Sequence, residues 1–216
     1  MNLVWTVLVA AGAGTRFGGA KQHVEICGQT VLERSLATAA KVSNGVVVVV
    51  PALDVQAVSE RLSADVAFVV VAGGTSRAAS VRQGLAAVPA QAEIVCVHDA
   101  ARPLALVEIY QQVIAEVASG AVGVVPVVPV TDTIRNVGGQ MVDRANLLEV
   151  QTPQAFRSEV LRDAHLGVGE ASDDASLVEV LGHRVVTVDG HRCNIKITYP
   201  EDLLAAEAWL KQGLVK

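Results

Sequence analysis

The sequence has few aromatic residues, few cysteines, no basic excess and no apolar run long enough to cross a bilayer. Each shortage removes a class of function. Only 3% of the 216 residues are aromatic, so recognition of any base must rest on backbone amides and small residues more than on stacking. The formal net charge is −5, which argues against broad nucleic-acid binding, since that needs a basic face. The three cysteines, Cys27, Cys96 and Cys193, are odd in number, far apart, and lack C-x-x-C or Cys/His metal spacing. That pattern fits a cytoplasmic protein, with Cys96 in the run Ile94 to Val97 read as a buried core thiol. The longest apolar stretches, Val46 to Val50 and Ala121 to Val130, are short or interrupted by Pro126 and Pro129, so no membrane span is expected. Nor is a signal peptide, because no Lys or Arg precedes Arg16 and the first apolar run ends in a glycine loop.

What the sequence does have is aliphatic material. At 51% apolar content and this length, roughly 70% of the unfolded chain's surface can leave water, which predicts one folded domain over residues 1–216. Short β-branched runs alternate with helical stretches. Leu3 to Val9, Gly45 to Val50, Ala67 to Val71, Ile94 to His98, Ala121 to Val125 and Arg184 to Val188 read as strands. Several are apolar on both faces, as parallel strands covered by helices are. Val31 to Val42, Asp54 to Ser63, Ser76 to Ala87, Leu104 to Ala118 and Asp174 to Leu181 read as helices, and Pro200, Glu201 and Asp202 open a last one. The order predicts an α/β fold with a doubly wound, mostly parallel sheet. One segment departs from it: Val127 to Val142 reads as a hairpin turning at Asn136-Val137-Gly138-Gly139. A hairpin between α/β units is expected to project as a β-arm, over about 127–150, and to pack on a second copy of the chain. Folding back on its own domain is the alternative.

In such sheets ligands bind beyond the carboxyl ends of the strands. The first such loop is Ala10-Ala11-Gly12-Ala13-Gly14-Thr15-Arg16-Phe17-Gly18-Gly19-Ala20-Lys21. Its glycines allow tight turns, and its amides can hold phosphate oxygens. A dinucleotide fingerprint would need glycine at Phe17 and an acid at the next strand's end, Val50-Pro51-Ala52, and a P-loop would need Ser or Thr at Gln22, so neither fits. Arg16 and Lys21 instead suit the charge that builds up when an α-phosphorus is attacked. A solvated loop with incidental charges is the plainer alternative. In His98-Asp99-Ala100-Ala101-Arg102-Pro103, Asp99 suits a magnesium ion or ribose hydroxyl and Arg102 a second phosphate. Equally, Asp99 could cap the next helix and pair with Arg102. His98 reads as structural. Gly73 to Ser80 opens a helix and offers amides to a base or phosphate. Ser172 reads as an N-cap, with Asp173 and Asp174 in the first turn. Lys196, between Ile195 and Ile197 in an extended run, is expected to point away from both, toward the cleft.

Taken in order, these pieces resemble the 2-C-methyl-D-erythritol 4-phosphate cytidylyltransferases of the non-mevalonate isoprenoid pathway. The resemblance rests on Ala10 to Gln22, Gly73 to Ser80, His98 to Pro103, Pro129-Val130-Thr131-Asp132-Thr133, Asp143-Arg144, Gln151-Thr152-Pro153-Gln154, Asp173-Asp174-Ala175-Ser176 and Asn194 to Asp202. It implies a Rossmann-like nucleotidyltransferase sheet. It also implies a reaction of CTP with methylerythritol phosphate that releases pyrophosphate, with Mg2+ held mainly by the CTP phosphates. Arg16 and Lys21 would stabilise the transition state, while Arg144 and Lys196 would orient the attacking phosphate. CTP would be held by Ala10, Ala11, Gly12, Gly74, Ser80, Asp99, Ala100 and Lys196. The acceptor would meet Asp99, Arg102, Thr133, Arg144, Thr152, Ser172 and Lys196. Family members are homodimers with interlocked arms, so Thr133 and Arg144 would enter the partner's site. Three positions depart from the family pattern: Ala20 for Pro, Ala79 for an acid and Ser172 for Thr. A cytidylyltransferase for another polyol phosphate, such as ribitol 5-phosphate, is the nearest alternative. A non-catalytic nucleotide-binding module is a second.

Overall fold

A computed structural model describes residues 2–167 and 172–215. Its centre is an eight-stranded sheet. The middle of that sheet is parallel: β1 (Val4–Val9) lies between β6 (Ile94–Asp99) and β4 (Gly45–Val50), and β5 (Ala67–Ala72) follows β4. On the other side of β6 the chain mixes directions. There β7 (Gly123–Pro129) pairs in parallel with β12 (Val185–Asp189) and antiparallel with β10 (Leu148–Val150) and β11 (Gln154–Arg157). Because β10 meets Val127 to Pro129 and β11 meets Gly123 and Val124, the two behave as one strand interrupted at 151–153.

Period-two side-chain alternation explains the layers. In β4, whose six residues are all buried, Val46, Val48 and Val50 pack with Leu32 and Leu36 of α1 (Val31–Ala40) and with Val58 of α2 (Val55–Arg61). Tyr110 and Val113 of α4 (Val107–Ala118) complete that layer. Val47 and Val49 face the opposite layer, with Val81 and Leu85 of α3 (Arg77–Ala87), Leu161 of α5 (Ser158–Ala164) and Val178 of α6 (Asp174–Val180). Each layer buries a row of valines, and each Val contributes about 1.5–3 kcal/mol by leaving water. A third, smaller cluster joins Ile26 to Ile197 and Ala206, linking the two-stranded turn of β2 (Glu25–Ile26) and β3 (Gln29–Thr30) to α7 (Pro200–Lys211). The core thiol expected at Cys96 is fully buried, and burial pushes its pKa up to about 12.

The hairpin is present, with a shifted root. Val127 to Pro129 continue β7 inside the main sheet, because Pro126 lacks a donor but its carbonyl still accepts from the Gln151 amide. The free arm is β8 (Ile134–Arg135) with β9 (Met141–Val142), which pair with each other and not with the main sheet. Val137 and Met141 on it are exposed. Among the described residues no helix is long and apolar enough to cross a membrane.

Candidate active site

After β5 and α3 the chain crosses to the other side of β1 to form β6, so the topological switch point lies between β1 and β6. A cleft of about 370 Å3 opens there, within the usual range of small-molecule sites, about 300–1,000 Å3. Its walls are the loop after β1, the start of α3, the end of β6 and the segment around Lys196. All eight residues expected to hold CTP line it, as do Arg16 and Lys21. Its charged residues are Arg16, Lys21, Arg77 and Lys196 against the single carboxylate of Asp99. A chain that is negative overall therefore has a positive cleft.

The loop after β1 divides at Gly14. The amides of Ala11 to Arg16 donate to no group among the described residues, an arrangement suited to phosphate oxygens. The amides of Phe17, Gly18 and Gly19 all donate to the Gly14 carbonyl, at 2.9, 3.0 and 3.3 Å. The second half of the loop thus closes on itself, and the amides free to meet a phosphate are those of its first half. Glycine is required at position 14: φ is +63°, and a Cβ would lie 2.0 Å from the Gly19 carbonyl oxygen. The closed turn delivers Lys21 to the cleft wall, where Nζ donates to the Ile197 carbonyl at 2.6 Å. Burial, then the neighbouring Lys196 charge, holds the Lys21 pKa below the ordinary lysine value.

Asp99 ends β6. Its Oδ1 accepts from Arg77 Nε at 3.0 Å and its Oδ2 from Lys196 Nζ at 2.6 Å. Burial alone would raise its pKa, but Arg77 and Lys196 outweigh burial and hold it well below the usual carboxylate range. Asp99 neither caps a helix nor pairs side chain to side chain with Arg102, since α4 begins only at Val107. Arg102 instead donates to the carbonyls of Asn194 (2.7 Å) and Val150 (3.3 Å). Behind Asp99, Thr152 Oγ1 accepts from the Asp99 amide at 3.0 Å and lies 2.9 Å from His98 Nδ1, and His98 Nε2 lies 3.2 Å from the Arg102 carbonyl. Because that carbonyl can only accept, Nε2 carries the proton and Thr152 donates to Nδ1. His98 is thus structural, as read, and burial lowers its pKa to about 4.

Lys196 does turn away from buried Ile197 into the cleft, though residues 194–198 form no strand. Asp202 near the start of α7 fixes the segment by accepting from the amides of Thr198 (2.6 Å) and Tyr199 (2.8 Å). Ser80 is buried, its hydroxyl donating to the Ser76 carbonyl at 2.8 Å and accepting from the Gly74 amide at 3.2 Å. Of the expected acceptor residues, Arg102, Thr133, Arg144, Thr152 and Ser172 lie off this cleft. Thr133 and Arg144 are exposed on the arm segment, where Arg144 donates to the Thr131 carbonyl. Ser172 is exposed and does not cap α6. Asp173 is the cap, accepting from the Ser176 amide, because the helix starts one residue later than the Ser172 reading requires.

Sequence reasoning passed over Arg77 and Asp174. A cation at the first position of α3 opposes the helix dipole, a signal that it has a strong partner elsewhere. That partner is twofold, Asp99 and Asp174, and together they outweigh the cost of burial and raise the Arg77 pKa. Among the described residues no group of three or more His, Cys, Asp or Glu could hold a metal. Both Asp99 oxygens already face cations, so this donor set suits a magnesium ion carried chiefly on triphosphate oxygens.

A sequence model described as IspD, 2-C-methyl-D-erythritol 4-phosphate cytidylyltransferase, matches residues 4–212. The enzyme of that name from Saccharopolyspora erythraea is 43% identical, over 96% of this chain and 99% of its own. That from Streptomyces avermitilis is 42% identical, over 94% and 90%. The crystal structure of the enzyme of that name from Thermus thermophilus superposes with a TM-score of 0.81 at 36% identity, covering 98% of this chain and 100% of that one. Fold, cleft and sequence agree: the chain belongs to the 2-C-methyl-D-erythritol 4-phosphate cytidylyltransferase (IspD) family.

Proposed function

We propose that this enzyme transfers the cytidylyl group of CTP to 2-C-methyl-D-erythritol 4-phosphate, giving 4-diphosphocytidyl-2-C-methyl-D-erythritol and pyrophosphate. A phosphate oxygen of the acceptor attacks the α-phosphorus, forming a new P–O bond. The bond from that phosphorus to the α,β-bridging oxygen breaks, and its electron pair leaves with pyrophosphate. An acceptor phosphate with a second pKa of about 6 is already ionised at neutral pH, so no general base is needed. Positioning and charge supply the rate. The observation that carries this reading is the convergence of Arg16, Lys21, Arg77 and Lys196 on one cleft beside the loop of residues 10–16.

Arg16 and Lys21 stabilise the pentacoordinate α-phosphate and the departing pyrophosphate. Ala10, Ala11, Gly12, Gly74, Ser80, Asp99, Ala100 and Lys196 hold CTP, with Gly74 and Ser80 shaping the pocket for the base through their mutual hydrogen bond. Magnesium, held mainly by the CTP phosphates, would supply neutralising charge. Asp99 and Lys196 meet the acceptor in the cleft, while Arg102, Thr152 and Ser172, which lie off it, are assigned to the acceptor by the family resemblance, as are Thr133 and Arg144 from the arm of a second chain. Support for the homodimer is that Thr133 and Arg144 lie off their own chain's cleft, on an exposed arm bearing uncovered Val137 and Met141. The enzyme acts in the cytoplasm, consistent with its unpaired cysteines.

The deciding experiment is pyrophosphate release with CTP, ATP, GTP or UTP and a panel of polyol phosphates, including ribitol 5-phosphate, with magnesium. Release with CTP and methylerythritol phosphate is expected. Preference for ribitol 5-phosphate would reassign the acceptor, and no release with any pair would favour a binding module.

A further inference from the structure

Asp174 is fully buried and takes no part in lining the cleft, yet a buried carboxylate is costly unless paired. It is held on three sides. Its Oδ2 lies 2.9 Å from Arg77 Nη1, its Oδ1 lies 2.9 Å from His165 Nε2, and its amide donates to Gln154 Oε1 at 3.2 Å. The Gln154 side-chain amide in turn donates to Asp173 Oδ2 at 3.2 Å, tying β11 to the start of α6. Asp174 is thus a fixed anchor set by β11, α5 and α6.

We propose that Asp174 and Arg77 are positioning residues for Lys196: Asp174 anchors Arg77, and Arg77 orients the Asp99 carboxylate that holds the Lys196 ammonium over the cleft. The guanidinium is planar and rigid, so fixing Nη1 on Asp174 also fixes the direction in which Nε points. Nε meets Asp99 Oδ1 at 3.0 Å. The carboxylate is planar as well, so its other oxygen is aimed, and Lys196 Nζ sits on it at 2.6 Å. The Lys196 side chain is 38% exposed on a flexible four-carbon stem and would otherwise sample several rotamers. With Asp174 neutralised, Arg77 has one anionic partner left, Asp99, and competes with Lys196 for it.

This inference rests on the reading that Lys196 orients the acceptor phosphate. Asp174→Asn, Lys196→Met and the double variant of the full chain would be compared by steady-state kinetics with CTP and methylerythritol phosphate. Asp174→Asn is expected to lower kcat/KM for the acceptor by about tenfold and Lys196→Met by more, while the double variant is no worse than Lys196→Met alone. Losses that multiply in the double variant would overturn the relay, because a merely structural role for Asp174 would act whatever residue stands at 196. An unaffected Lys196→Met enzyme would overturn the assignment of Lys196 itself. If Asp174→Asn fails to fold, Arg77→Lys serves instead, since one ammonium cannot bridge both carboxylates in the same geometry. It should show the same non-additivity with Lys196→Met, and unchanged kcat/KM in Arg77→Lys would overturn the proposal.

Discussion

Replacing Lys21 by Ala separates binding from chemistry. Among the described residues the ammonium donates only to the Ile197 carbonyl, at 2.6 Å, in a half-buried setting. Its removal therefore costs about 1 kcal/mol of stability after solvent screening, partly offset by relief of repulsion from Lys196. Ground-state CTP binding keeps Arg16, Lys196 and the amides of residues 11–16, so its dissociation constant should change by less than about fivefold. At the transition state, loss of one fixed donor to developing charge costs about 3–4 kcal/mol, or about 10²–10³ in kcat. Pyrophosphate release gives kcat, and calorimetric titration with CTP gives the affinity. There is also a pH signature. As pH rises through the Lys21 pKa of the free enzyme the ammonium becomes an amine and kcat/KM falls. Because that pKa is lowered in the fold, first by burial and then by Lys196, the fall begins below the ordinary lysine value of 10.5. A guanidinium does not titrate in this range, so whatever activity Lys21→Arg retains should lack this limb. Equal losses of kcat and CTP affinity in Lys21→Ala, or an unmoved alkaline limb in Lys21→Arg, would refute the reasoning.

Three further expectations concern other parts of the molecule. The unfolded chain protonates His98 near pH 6.5 while the fold does so only near 4, so stability should fall by about 3 kcal/mol as pH drops across that window. Chemical denaturation at several pH values should show the slope in the parent and its loss in His98→Gln. Mixing Lys21→Ala with Arg144→Ala subunits under exchange should restore roughly a quarter of parental activity if arms act across the dimer, since half the dimers are mixed with one intact site each; no recovery would place Arg144 in its own chain's site. Ala20 has φ −74° and its amide donates to no group among the described residues, so Ala20→Pro should raise stability by about 0.4–1 kcal/mol, and a lowered thermal midpoint would count against this.

The central strands were legible because valine runs buried on both faces admit few other placements. Gly45 to Val50 was read with the limits that the structure shows. The broken strand β10 and β11 was not. Gln151 and Gln154 are polar yet buried, held by contacts with His191, Asn194 and Asp173 that lie far along the chain, and Thr152-Pro153 reads locally as a turn. Helix α5 is only seven residues long and offers little periodicity to detect. At the site, every residue that the resemblance assigns to CTP lines the one cleft at the switch point. Asp174 escaped because an acid in a first helical turn already has a sufficient local explanation. Its real partner, Arg77, is 97 positions earlier in the chain.

The turn closed on the Gly14 carbonyl also sets a clock. It joins residues 14–19, and loops this short close in about 10–100 ns. Enzymes turn over at about 1–10³ per second, slower by at least four orders of magnitude. Closing such a turn is therefore too fast to limit turnover, wherever in the cycle it opens.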